Sequence, residues 1–481
     1  MSTRTRTSGN TALNDQPRQL APQKIELAGR RAHFVGIGGC GMSCLARLAK
    51  QSGAICTGSD KLASPVTESL EDDGFDVVLD QSASTVPADC DMLIISAAIG
   101  AQHPEVVEAR RRGIAIHKYA ALLGNLMLDR TGVAIAGTHG KSTTTSMLSH
   151  VLIEADLDPS FIVGATCQQI GGGSRTGHSD ILVAEACEFD RSFHNFHPTH
   201  AVILNVEEDH MEIYGSLDAI VEAFAVFARK LPAHGSLLIQ HELPHRMAIA
   251  AGLKCAVETL GFAPQADWRI ELRDGRTALR HRDKLVASWH GAMPGEHMAY
   301  NAAAAAVTAH RLGAPWKPIA DALESFEGLD RRMQLLGQRD TPGGPITIVD
   351  DYGHHPTEID TTLRALRRHY KPQRLICIFQ PHQHSRTRFL LEQFAQSFSE
   401  ADMVIVPDIY FVRDSEQERH TVSAADLVDR LRSRGRQALH LYPFDAIVEH
   451  LQVISRGGDL IVTMGAGDVW KIAAAMKCDG A

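Results

Sequence analysis

One segment of the chain combines glycines, hydroxyl side chains and a lysine at a spacing that suits phosphate binding. It follows an apolar run at residues 133–136 and precedes a helical pattern at 145–155. The backbone amides of such a loop and the positive end of the following helix attract anionic oxygens, and a lysine reaches the β and γ phosphates of a nucleotide. The loop is short, because Ile135 stands where a first glycine is usual, and a lysine on a solvated turn is the simpler alternative. We predict that it binds the phosphates of ATP through Gly137, Thr138, His139, Gly140, Lys141, Ser142 and Thr143.

Metal-binding side chains follow the next two apolar runs, at the points where predicted strands end. Glu185 ends one run, just ahead of Glu188, and His210 follows the other within a cluster of acids. The carboxyl ends of parallel strands meet at one edge of a sheet, where ligands bind. Magnesium prefers hard oxygen donors, and a serine hydroxyl in a phosphate loop can join them. We therefore predict a Mg²⁺ site formed by Ser142 and Glu185, and a metal-binding or catalytic role for His210.

A second glycine-rich loop lies closer to the N-terminus, between an apolar run at residues 33–37 and a helical pattern at 42–51. Glycines at such a turn let backbone amides approach a pyrophosphate, and an acid at the end of the next strand, here Asp60, can bond a ribose or base edge. Alone, this pattern indicates a dinucleotide site, as in a NAD-binding oxidoreductase, or a tight turn without ligand. An oxidoreductase has no use for the lysine-bearing loop, so we expect this loop to bind a different nucleotide. Its residues are Gly38, Gly39, Cys40 and Gly41.

The composition excludes several classes of protein. Charged residues make up 22% of the chain and hydrophobic residues 44%, which is typical of a folded globular protein. A net charge of -9 with no long basic stripe argues against a nucleic-acid partner. No run approaches the roughly 18 apolar residues of a membrane helix, and the nine cysteines include no C-x-x-C pair. We expect a cytoplasmic protein without a membrane segment, as a monomer or a weak homodimer.

The elements that position these loops follow the alternation of an α/β fold. Short runs rich in Val and Ile recur, each followed by a longer helical pattern, which is typical of parallel βαβ units. The clearest predicted strands are 33–37, 54–58, 92–96, 133–136, 181–185, 201–205, 346–349, 375–379, 403–406 and 459–464.

The 481 residues predict about three domains, at roughly 150 residues each. One border falls just before the strand that leads into the lysine-bearing loop, and another falls where Gly and Pro cluster at 337–345. The predicted organisation is a flexible tail at 1–27 followed by domains at 28–130, 131–337 and 338–481.

Taken together, the motifs resemble one family of enzymes, the Mur ligases. Any single motif can arise by chance, whereas their combination is highly specific. The resemblance spans roughly residues 30 to 475. It is carried by the segments 33–41, 137–142, 183–185, 205–211, 295–301, 326–332, 350–356 and 380–388.

The resemblance implies three α/β domains: an N-terminal Rossmann-like domain that binds UDP, a central domain with the parallel sheet of a P-loop ATPase, and a C-terminal Rossmann-like domain. UDP-N-acetylmuramate would lie with its UDP on the N-terminal glycine loop, and ATP between the central and C-terminal domains. The implied reaction is ATP-dependent ligation of L-alanine to the lactyl carboxylate through an acyl phosphate, in peptidoglycan precursor synthesis. A recycling ligase that attaches a peptide to the same UDP-sugar stays open. So do two other classes, an oxidoreductase and a nucleotide-binding regulator without catalysis.

The resemblance also implies roles for individual residues. Every step of this reaction moves negative charge, so cations and backbone dipoles placed beforehand matter more than any single base. The implied catalytic residues are Lys141, His210, His354 and Arg386. The implied nucleotide contacts beyond the loop are His297, Asn301, Arg332 and Asp350. The implied substrate contacts beyond the glycine loop are Asp60, Ser96, Tyr352, His382 and Arg386.

The chain differs from the family pattern at several of these positions. Met298 stands where an amide that can meet adenine is usual, and Gln383 stands where an arginine is usual near the expected amino-acid site. Cys187 and Phe189 replace two polar residues that follow Glu185. Glu185 itself is retained, so the predicted magnesium site is unchanged, whereas one cation fewer lies near the amino acid.

Cys40 lies in the N-terminal glycine loop at a predicted helix start, where the helix dipole can increase the reactivity of a thiol. We expect a thiol reagent to inactivate the enzyme and UDP-N-acetylmuramate to protect it. The measurement is phosphate release after labelling with and without the UDP-sugar, with Cys40→Ser as the resistant control. Full activity in protein whose Cys40 is completely labelled, as located by peptide mass analysis, would contradict this prediction.

Overall fold

The computed structural model describes residues 24–412 and 414–477. Most of the tail predicted at 1–27 lies outside these residues. The described residues form three β-sheets, each mainly parallel and covered by helices, so the predicted α/β fold is confirmed. Short 3-10 turns lie at Ala83–Thr85, Gln168–Ile170, Phe189–Asn195 and Glu418–His420.

The first sheet has the strand order β3-β2-β1-β4-β5, and its strands pair in parallel. In a doubly wound sheet of this order, ligands bind beyond the carboxyl ends of the strands where the order reverses, here between β1 and β4. The strands are β1 (Arg31–Val35), β2 (Ile55–Ser59), β3 (Asp76–Val78), β4 (Met92–Ile95) and β5 (Ala115–Lys118). The helices are α1 (Cys40–Gln51), α2 (Pro65–Asp72), α3 (Pro104–Arg111) and α4 (Tyr119–Met127).

The second sheet has the order β15-β14-β13-β12-β11-β10-β6-β9-β7-β8. Its centre is parallel, and β8, β14 and β15 run antiparallel to their neighbours. The strands are β6 (Thr131–Ala136), β7 (Ser160–Cys167), β8 (Gly172–Arg175), β9 (Ile181–Ala186), β10 (His200–Ile203), β11 (Ser236–Gln240), β12 (Ala256–Gly261), β13 (Trp268–Arg273), β14 (Arg276–His281) and β15 (Lys284–His290). The helices are α5 (Lys141–Glu154), α6 (Met211–Tyr214), α7 (Leu217–Ala228), α8 (Arg246–Ala250), α9 (Glu296–Arg311) and α10 (Trp316–Ser325).

The third sheet has the order β16-β17-β21-β18-β19-β20 and is parallel except for the edge strand β16. The strands are β16 (Gln334–Thr341), β17 (Gly344–Asp351), β18 (Arg374–Phe379), β19 (Met403–Val406), β20 (Gln437–His440) and β21 (Asp459–Met464). The helices are α11 (Pro356–Tyr370), α12 (His384–Phe389), α13 (Leu391–Gln396), α14 (Ala424–Ser433), α15 (Phe444–Ile454) and α16 (Trp470–Lys477).

All strands predicted from the sequence are present, with small shifts at their ends. The structure places the second domain border earlier than predicted, because β16 begins at Gln334 and belongs to the third sheet. The Gly and Pro cluster around Pro342 connects the antiparallel strands β16 and β17 and is a hairpin turn within the domain. No helix within the described residues has the length and apolar composition that a bilayer crossing requires.

Helix α5 is buried along most of its length, between the second sheet and the helices α9 and α10. Two of its hydroxyl side chains bond to the preceding turn of the helix: Thr145 Oγ1 donates to Lys141 O at 2.8 Å, and Ser149 Oγ donates to Thr145 O at 2.8 Å. Helix α9 faces α5 with a run of buried alanines, residues 302–306, and small side chains allow helices to pack closely. This packing holds the start of α5, and with it the lysine-bearing loop, in one position.

Helix α4 joins the first sheet to the second and packs closely against the turn Phe189–Asn195. A Cβ added at Gly124 would lie 1.8 Å from Asn195 O, a backbone atom that cannot rotate away. Gly124→Ala is expected to lower the free energy of unfolding by about 1 to 3 kcal/mol, because this overpacking outweighs the better helix propensity of alanine. Denaturant titration measures the change. Gly100→Ala is the matched control, since an added Cβ there meets nothing within 4 Å. Equal stability of the two variants would contradict the prediction.

Candidate active site

The lysine-bearing loop is the turn between β6 and α5, at the centre of the second sheet. Because β6 lies between β9 and β10, the segments that follow these three strands converge on the loop. Gly137 and Gly140 have φ values of +145° and +81°, which glycine adopts without strain. A Cβ on Gly140 would lie 2.7 Å from Asn301 Oδ1. The glycines therefore let the chain turn sharply into α5 and let α9 approach the loop.

Asn205, which follows β10, holds the loop in place. Its Oδ1 accepts from the amide of His139 at 2.7 Å, and its Nδ2 donates to His139 O at 3.1 Å. Its carbonyl oxygen accepts from the amide of Thr138 at 3.2 Å. The loop is therefore ordered before any nucleotide binds, which is the preorganisation that phosphoryl transfer requires.

The Lys141 ammonium is nearly buried and lies among acceptors. Its Nζ donates to Gly137 O at 2.6 Å and Thr138 O at 3.0 Å, and it lies 2.9 and 3.1 Å from the two carboxylate oxygens of Glu188. Burial would lower the pKa of Lys141, but the negative charge of Glu188 outweighs burial and raises the pKa above its ordinary value. Lys141 is therefore a cation at neutral pH and lies across the predicted phosphate site.

The structure brings two of the predicted magnesium ligands into direct contact. Ser142 Oγ donates to Glu185 Oε2 at 2.9 Å, and the same oxygen accepts from the amide of Gly164 at 2.8 Å. Glu185 is the next-to-last residue of β9 and Ser142 is the second residue of α5, so the adjacency of β9 and β6 produces this pair. A hydroxyl beside a carboxylate suits Mg²⁺, which prefers oxygen donors.

His210, predicted to have a metal-binding or catalytic role of its own, belongs to a separate group with Glu188 and Asp209. Ligand atoms of Glu188, Asp209 and His210 all lie within 4.8 Å of one another. His210 Nε2 is 3.6 Å from Asp209 Oδ2 and 4.0 Å from Glu188 Oε1. The other ring nitrogen, His210 Nδ1, lies 3.5 Å from Glu212 Oε1. The chemistry of this group also fits a divalent cation.

A cluster of charges joins the phosphate loop to the C-terminal domain. His139 Nδ1 lies 3.2 Å from Glu358 Oε1, and its Nε2 lies 3.5 Å from Glu207 Oε2. Burial would lower the pKa of His139, but Glu358 and Glu207 raise it to about 10. The other oxygen of Glu358 accepts from the amides of His354 and His355 at the start of α11. One carboxylate therefore caps a helix of the C-terminal domain and holds a cation in the phosphate loop.

A pocket between the central and C-terminal domains opens beside this cluster. Its lining includes His297, Asn301 and Arg332, which are predicted nucleotide contacts. Burial lowers the pKa of His297 to about 4, so its ring is neutral, and its Nδ1 has no hydrogen-bond partner among the described residues. The Arg332 guanidinium lies 4.9 Å from the centre of the Tyr352 ring and 3.7 Å from Glu358. The pocket thus offers a neutral ring and a cation within reach of the loop.

Asp350, predicted to face the nucleotide ribose, points away from this pocket. It is 2% exposed, accepts from Thr463 Oγ1 at 2.5 Å and pairs with Arg331 at 3.1 Å. Asp351 lines the pocket, and its Oδ2 accepts from the amide of Met333. Successive side chains of a strand point to opposite faces, so only one of the two acids in β17 can face the pocket. The structure therefore places Asp351, and not Asp350, in the pocket.

The residues predicted to face the reacting carbonyl and the amino acid also come together. The rings of Tyr352 and His354 lie 5.5 Å apart, and those of His354 and His382 lie 6.0 Å apart. Burial lowers the pKa of His354 to about 3. Arg386 Nη2 donates to Asp209 Oδ1 at 2.7 Å, and both side chains are buried. Burial would raise the pKa of Asp209, but Arg386 and neighbouring histidines hold it well below its ordinary value.

The N-terminal glycine loop connects β1 to α1. Asp60 accepts from the amide of Gly38 at 2.8 Å, so in this structure the acid predicted to bond a ribose supports the loop. Cys40 is the first residue of α1 and is exposed. Ser174 in β8 donates to Cys40 O at 2.9 Å, which links the loop to the central domain. Ser96, another predicted substrate contact, directly follows β4, next to the point between β1 and β4 where the strand order reverses.

Comparison with known families decides the classification of the chain. The model of the Mur ligase family catalytic domain matches residues 31–131, that of the Mur ligase middle domain matches 135–309, and that of the Mur ligase glutamate ligase domain matches 331–467. The chain belongs to the Mur ligase family. The resemblance expected from the motifs is thereby confirmed.

Individual members of the family are similar to this Mur ligase over most of its length. It is 38% identical to the UDP-N-acetylmuramate–L-alanine ligase of Caldanaerobacter subterraneus subsp. tengcongensis, covering 92% of this chain and 96% of that one. It is 37% identical to the enzyme of the same name from Desulfitobacterium hafniense, covering 93% and 99%. The crystal structure of UDP-N-acetylmuramate-alanine ligase from Thermotoga maritima is similar with a TM-score of 0.72 at 26% identity, covering 93% and 98%. A murein peptide ligase from Psychrobacter arcticus has a TM-score of 0.64 at 25% identity, again covering 93% and 98%.

Several residues of the site in this Mur ligase are not predicted from the sequence. Glu188 and the acids before His210 are close in sequence to predicted ligands. Their position after the ends of predicted strands could have indicated that they belong to the site. No local signal indicates Glu358, which reaches the loop from another domain, or the choice of Asp351 over Asp350. These additional residues of the site are Glu188, Glu207, Asp209, Asp351 and Glu358.

Glu358 and Glu207 hold His139 as a cation. The ion pairs of His139 with these two carboxylates contribute to the stability of the fold, and this contribution depends on pH. Because the pKa is raised from an ordinary 6.5 to about 10, the stabilisation is fully present below pH 6.5 and is lost as the pH rises through about 10. The free energy of unfolding of the wild type should exceed that of His139→Gln most at pH 6, and the difference should shrink toward pH 10. Denaturant titration at several pH values measures this difference.

His178→Gln is the control, because this ring is 91% exposed. Its stability difference from the wild type should stay small and should not decline toward pH 10. A His139→Gln difference that is constant from pH 6 to pH 10 would show that His139 is not charged by its neighbours.

Proposed function

We propose that this protein joins L-alanine to the lactyl carboxylate of UDP-N-acetylmuramate, with cleavage of ATP, in the synthesis of peptidoglycan precursors. The observation that carries the proposal is the convergence of a lysine-bearing phosphate loop and a buried arginine on one interface of a Mur ligase. The relatives that are 37 to 38% identical over more than nine tenths of the chain bear the name of this activity.

The first step forms an acyl phosphate. A lactyl carboxylate oxygen attacks the γ-phosphorus of ATP, the bond from that phosphorus to the bridging oxygen breaks, and ADP leaves with the electron pair. Lys141 and the N-terminal end of α5 stabilise the charge on the transferring phosphoryl group. His139, which its acidic neighbours keep protonated, adds a second cation in the same loop. Asn301 and His297 bind the nucleoside end in the adjoining pocket.

Ser142 and Glu185 would hold one Mg²⁺, and His210 with its acidic neighbours would hold another. The fit rests on donor chemistry: a hydroxyl 2.9 Å from a carboxylate in one place, and His210 Nε2 at 3.6 and 4.0 Å from the carboxylates of Asp209 and Glu188 in the other. Bound magnesium neutralises phosphate charge and polarises phosphoryl oxygens. The side chains supply the geometry, since they are held by the loop, β9 and the segment after β10.

The second step forms the amide. The neutral amine of L-alanine attacks the acyl carbon, the tetrahedral intermediate expels phosphate as its C–O bond breaks, and the amine nitrogen loses a proton. Arg386 binds the alanine carboxylate through the N–H groups that Asp209 leaves available, because a guanidinium has five donors. His354, which burial keeps neutral, lies beside the reacting groups as a hydrogen-bonding partner.

The setting of the reaction follows from its substrates. ATP and a UDP-sugar are cytoplasmic small molecules, and the net charge of -9 disfavours nucleic acid as a partner. A cytoplasmic monomer or weak homodimer meets these requirements. We place the first domain border near residue 130, as predicted. The second border, predicted near residue 337, is placed just before β16.

Phosphate release tests the proposed function. Release should require UDP-N-acetylmuramate and L-alanine together, and mass analysis of the product should show a single added alanine. Addition of a whole tripeptide in preference to alanine would instead identify a recycling ligase, the activity named for the murein peptide ligase of similar fold. No release with any amino acid or peptide would refute both ligase activities.

The variant Lys141→Ala tests whether the ATP site and the UDP-sugar site are separate. Phosphate release should fall by about 100-fold or more, because a preorganised charge on the transferring group is lost. Binding of UDP-N-acetylmuramate, measured by calorimetry, should be unchanged, since its loop lies in another domain. Lys317→Ala is the control, because that lysine is 85% exposed and pairs only with Asp321 on the surface. Equal loss of catalysis and UDP-sugar binding would refute the assignment of two separate sites.

A further inference from the structure

Glu188 lies between a cation and a group of metal-binding side chains. Its oxygens are 2.9 and 3.1 Å from Lys141 Nζ, and its Oε1 is 4.0 Å from His210 Nε2. The side chain is 4% exposed, and the backbone carbonyl accepts from Tyr214 Oη at 2.6 Å. The backbone is therefore anchored, while the carboxylate lies within a short rotation of either neighbour.

All three N–H donors of Lys141 are engaged by the protein in this arrangement, so none is available to a phosphate. An ammonium has three N–H donors, and Lys141 contacts Gly137 O, Thr138 O and the carboxylate of Glu188. The two carbonyls belong to the loop itself, which Asn205 holds in place. The Glu188 carboxylate is the contact that can move, because it is at the end of a side chain and competes with phosphate for the same cation.

A carboxylate that leaves Lys141 needs another positive partner, since a buried charge without one is costly. The nearest ligand groups are His210 and Asp209, which with Glu188 form one of the groups of ligand atoms within 4.8 Å of one another. Asp209 already binds Arg386 through Oδ1, and its Oδ2 faces His210. A divalent cation among these three side chains would compensate Glu188 after it releases the lysine.

We propose that Glu188 exchanges partners during nucleotide binding. It holds Lys141 in the nucleotide-free enzyme, and it joins His210 and Asp209 as a ligand of a divalent cation once the nucleotide phosphates take the lysine. The exchange depends on the proposed function in one respect only, namely that a nucleotide binds at the lysine-bearing loop. It makes cation binding and nucleotide binding favour each other, because each removes the group that blocks the other. Glu188 is thus a positioning residue for Lys141 and a ligand for the cation.

The test uses Mn²⁺ as a probe on the full chain without nucleotide or substrate. Binding is measured by electron paramagnetic resonance in the wild type and in Lys141→Met. The lysine no longer competes for Glu188 in the variant, so Mn²⁺ affinity should rise by about tenfold or more, since an opposite charge within hydrogen-bond distance shifts such equilibria by at least this factor. Glu188→Gln in the Lys141→Met background should remove the gain.

Asp190→Asn in the same background is the matched control. It removes one negative charge from the same turn, but Asp190 is 62% exposed and faces Lys118, so the gain in affinity should persist. Thermal melting establishes that each variant is folded, and Lys141→Gln replaces Lys141→Met if the latter does not fold. Unchanged Mn²⁺ affinity in the lysine variant, or a gain that survives Glu188→Gln, would overturn the proposal.

The outcome is independent of the proposed reaction. Mn²⁺ binding is measured without UDP-sugar, ATP or amino acid, so a lack of phosphate release would refute the ligase activity and leave the exchange standing. Conversely, an active ligase whose lysine variant shows no gain in Mn²⁺ affinity would retain its function and lose the exchange.

Discussion

A buried ammonium is stable only when an opposite charge accompanies it, and the central domain is arranged around this constraint at Lys141. The compensating carboxylate of Glu188 follows β9, so β9 has to lie beside β6, the strand that leads into the lysine loop. His210 follows β10 on the other side of β6. The order β10-β6-β9 therefore brings the lysine, its counter-charge and His210 to one edge of the sheet. Helix α5 begins at the lysine and is itself buried, which explains the alanine run that α9 presents to it.

The same principle operates between the domains. Glu358 pairs with His139 of the lysine-bearing loop, and Arg386 pairs with Asp209 beside His210. Buried ion pairs contribute little net stability, but removing one partner is strongly destabilising, so such pairs specify a geometry. Here they orient the C-terminal domain so that Arg332 lines the pocket between the two domains. Charged groups from two domains thus meet at an interface, where ligand sites commonly occur.

Features that depend on neighbouring residues could be predicted from the sequence. The lysine loop, Glu185 and His210 were found because each follows a short apolar run, and the structure places all of them at one sheet edge. The sequence interpretation named Asp350, whereas Asp351 lines the pocket, because both acids lie at the end of a buried strand and only the orientation of its faces separates them. The predicted second border at residues 337 and 338 falls within β16 for a similar reason. Gly and Pro near Pro342 mark a turn, but composition does not distinguish a hairpin from a linker.

By itself, the sequence determined the α/β class, the two glycine loops and the membership of the Mur ligase family, because strand patterns and loop motifs are local and survive in any environment that allows the chain to fold. The tertiary structure decided which charges meet. Lys141 and Glu188 are 47 residues apart, and Asp209 and Arg386 are 177 apart. No periodicity in the chain encodes such pairs. They form because the strand order and the domain interface bring their backbones together, and burial then makes the pairing of each charge necessary.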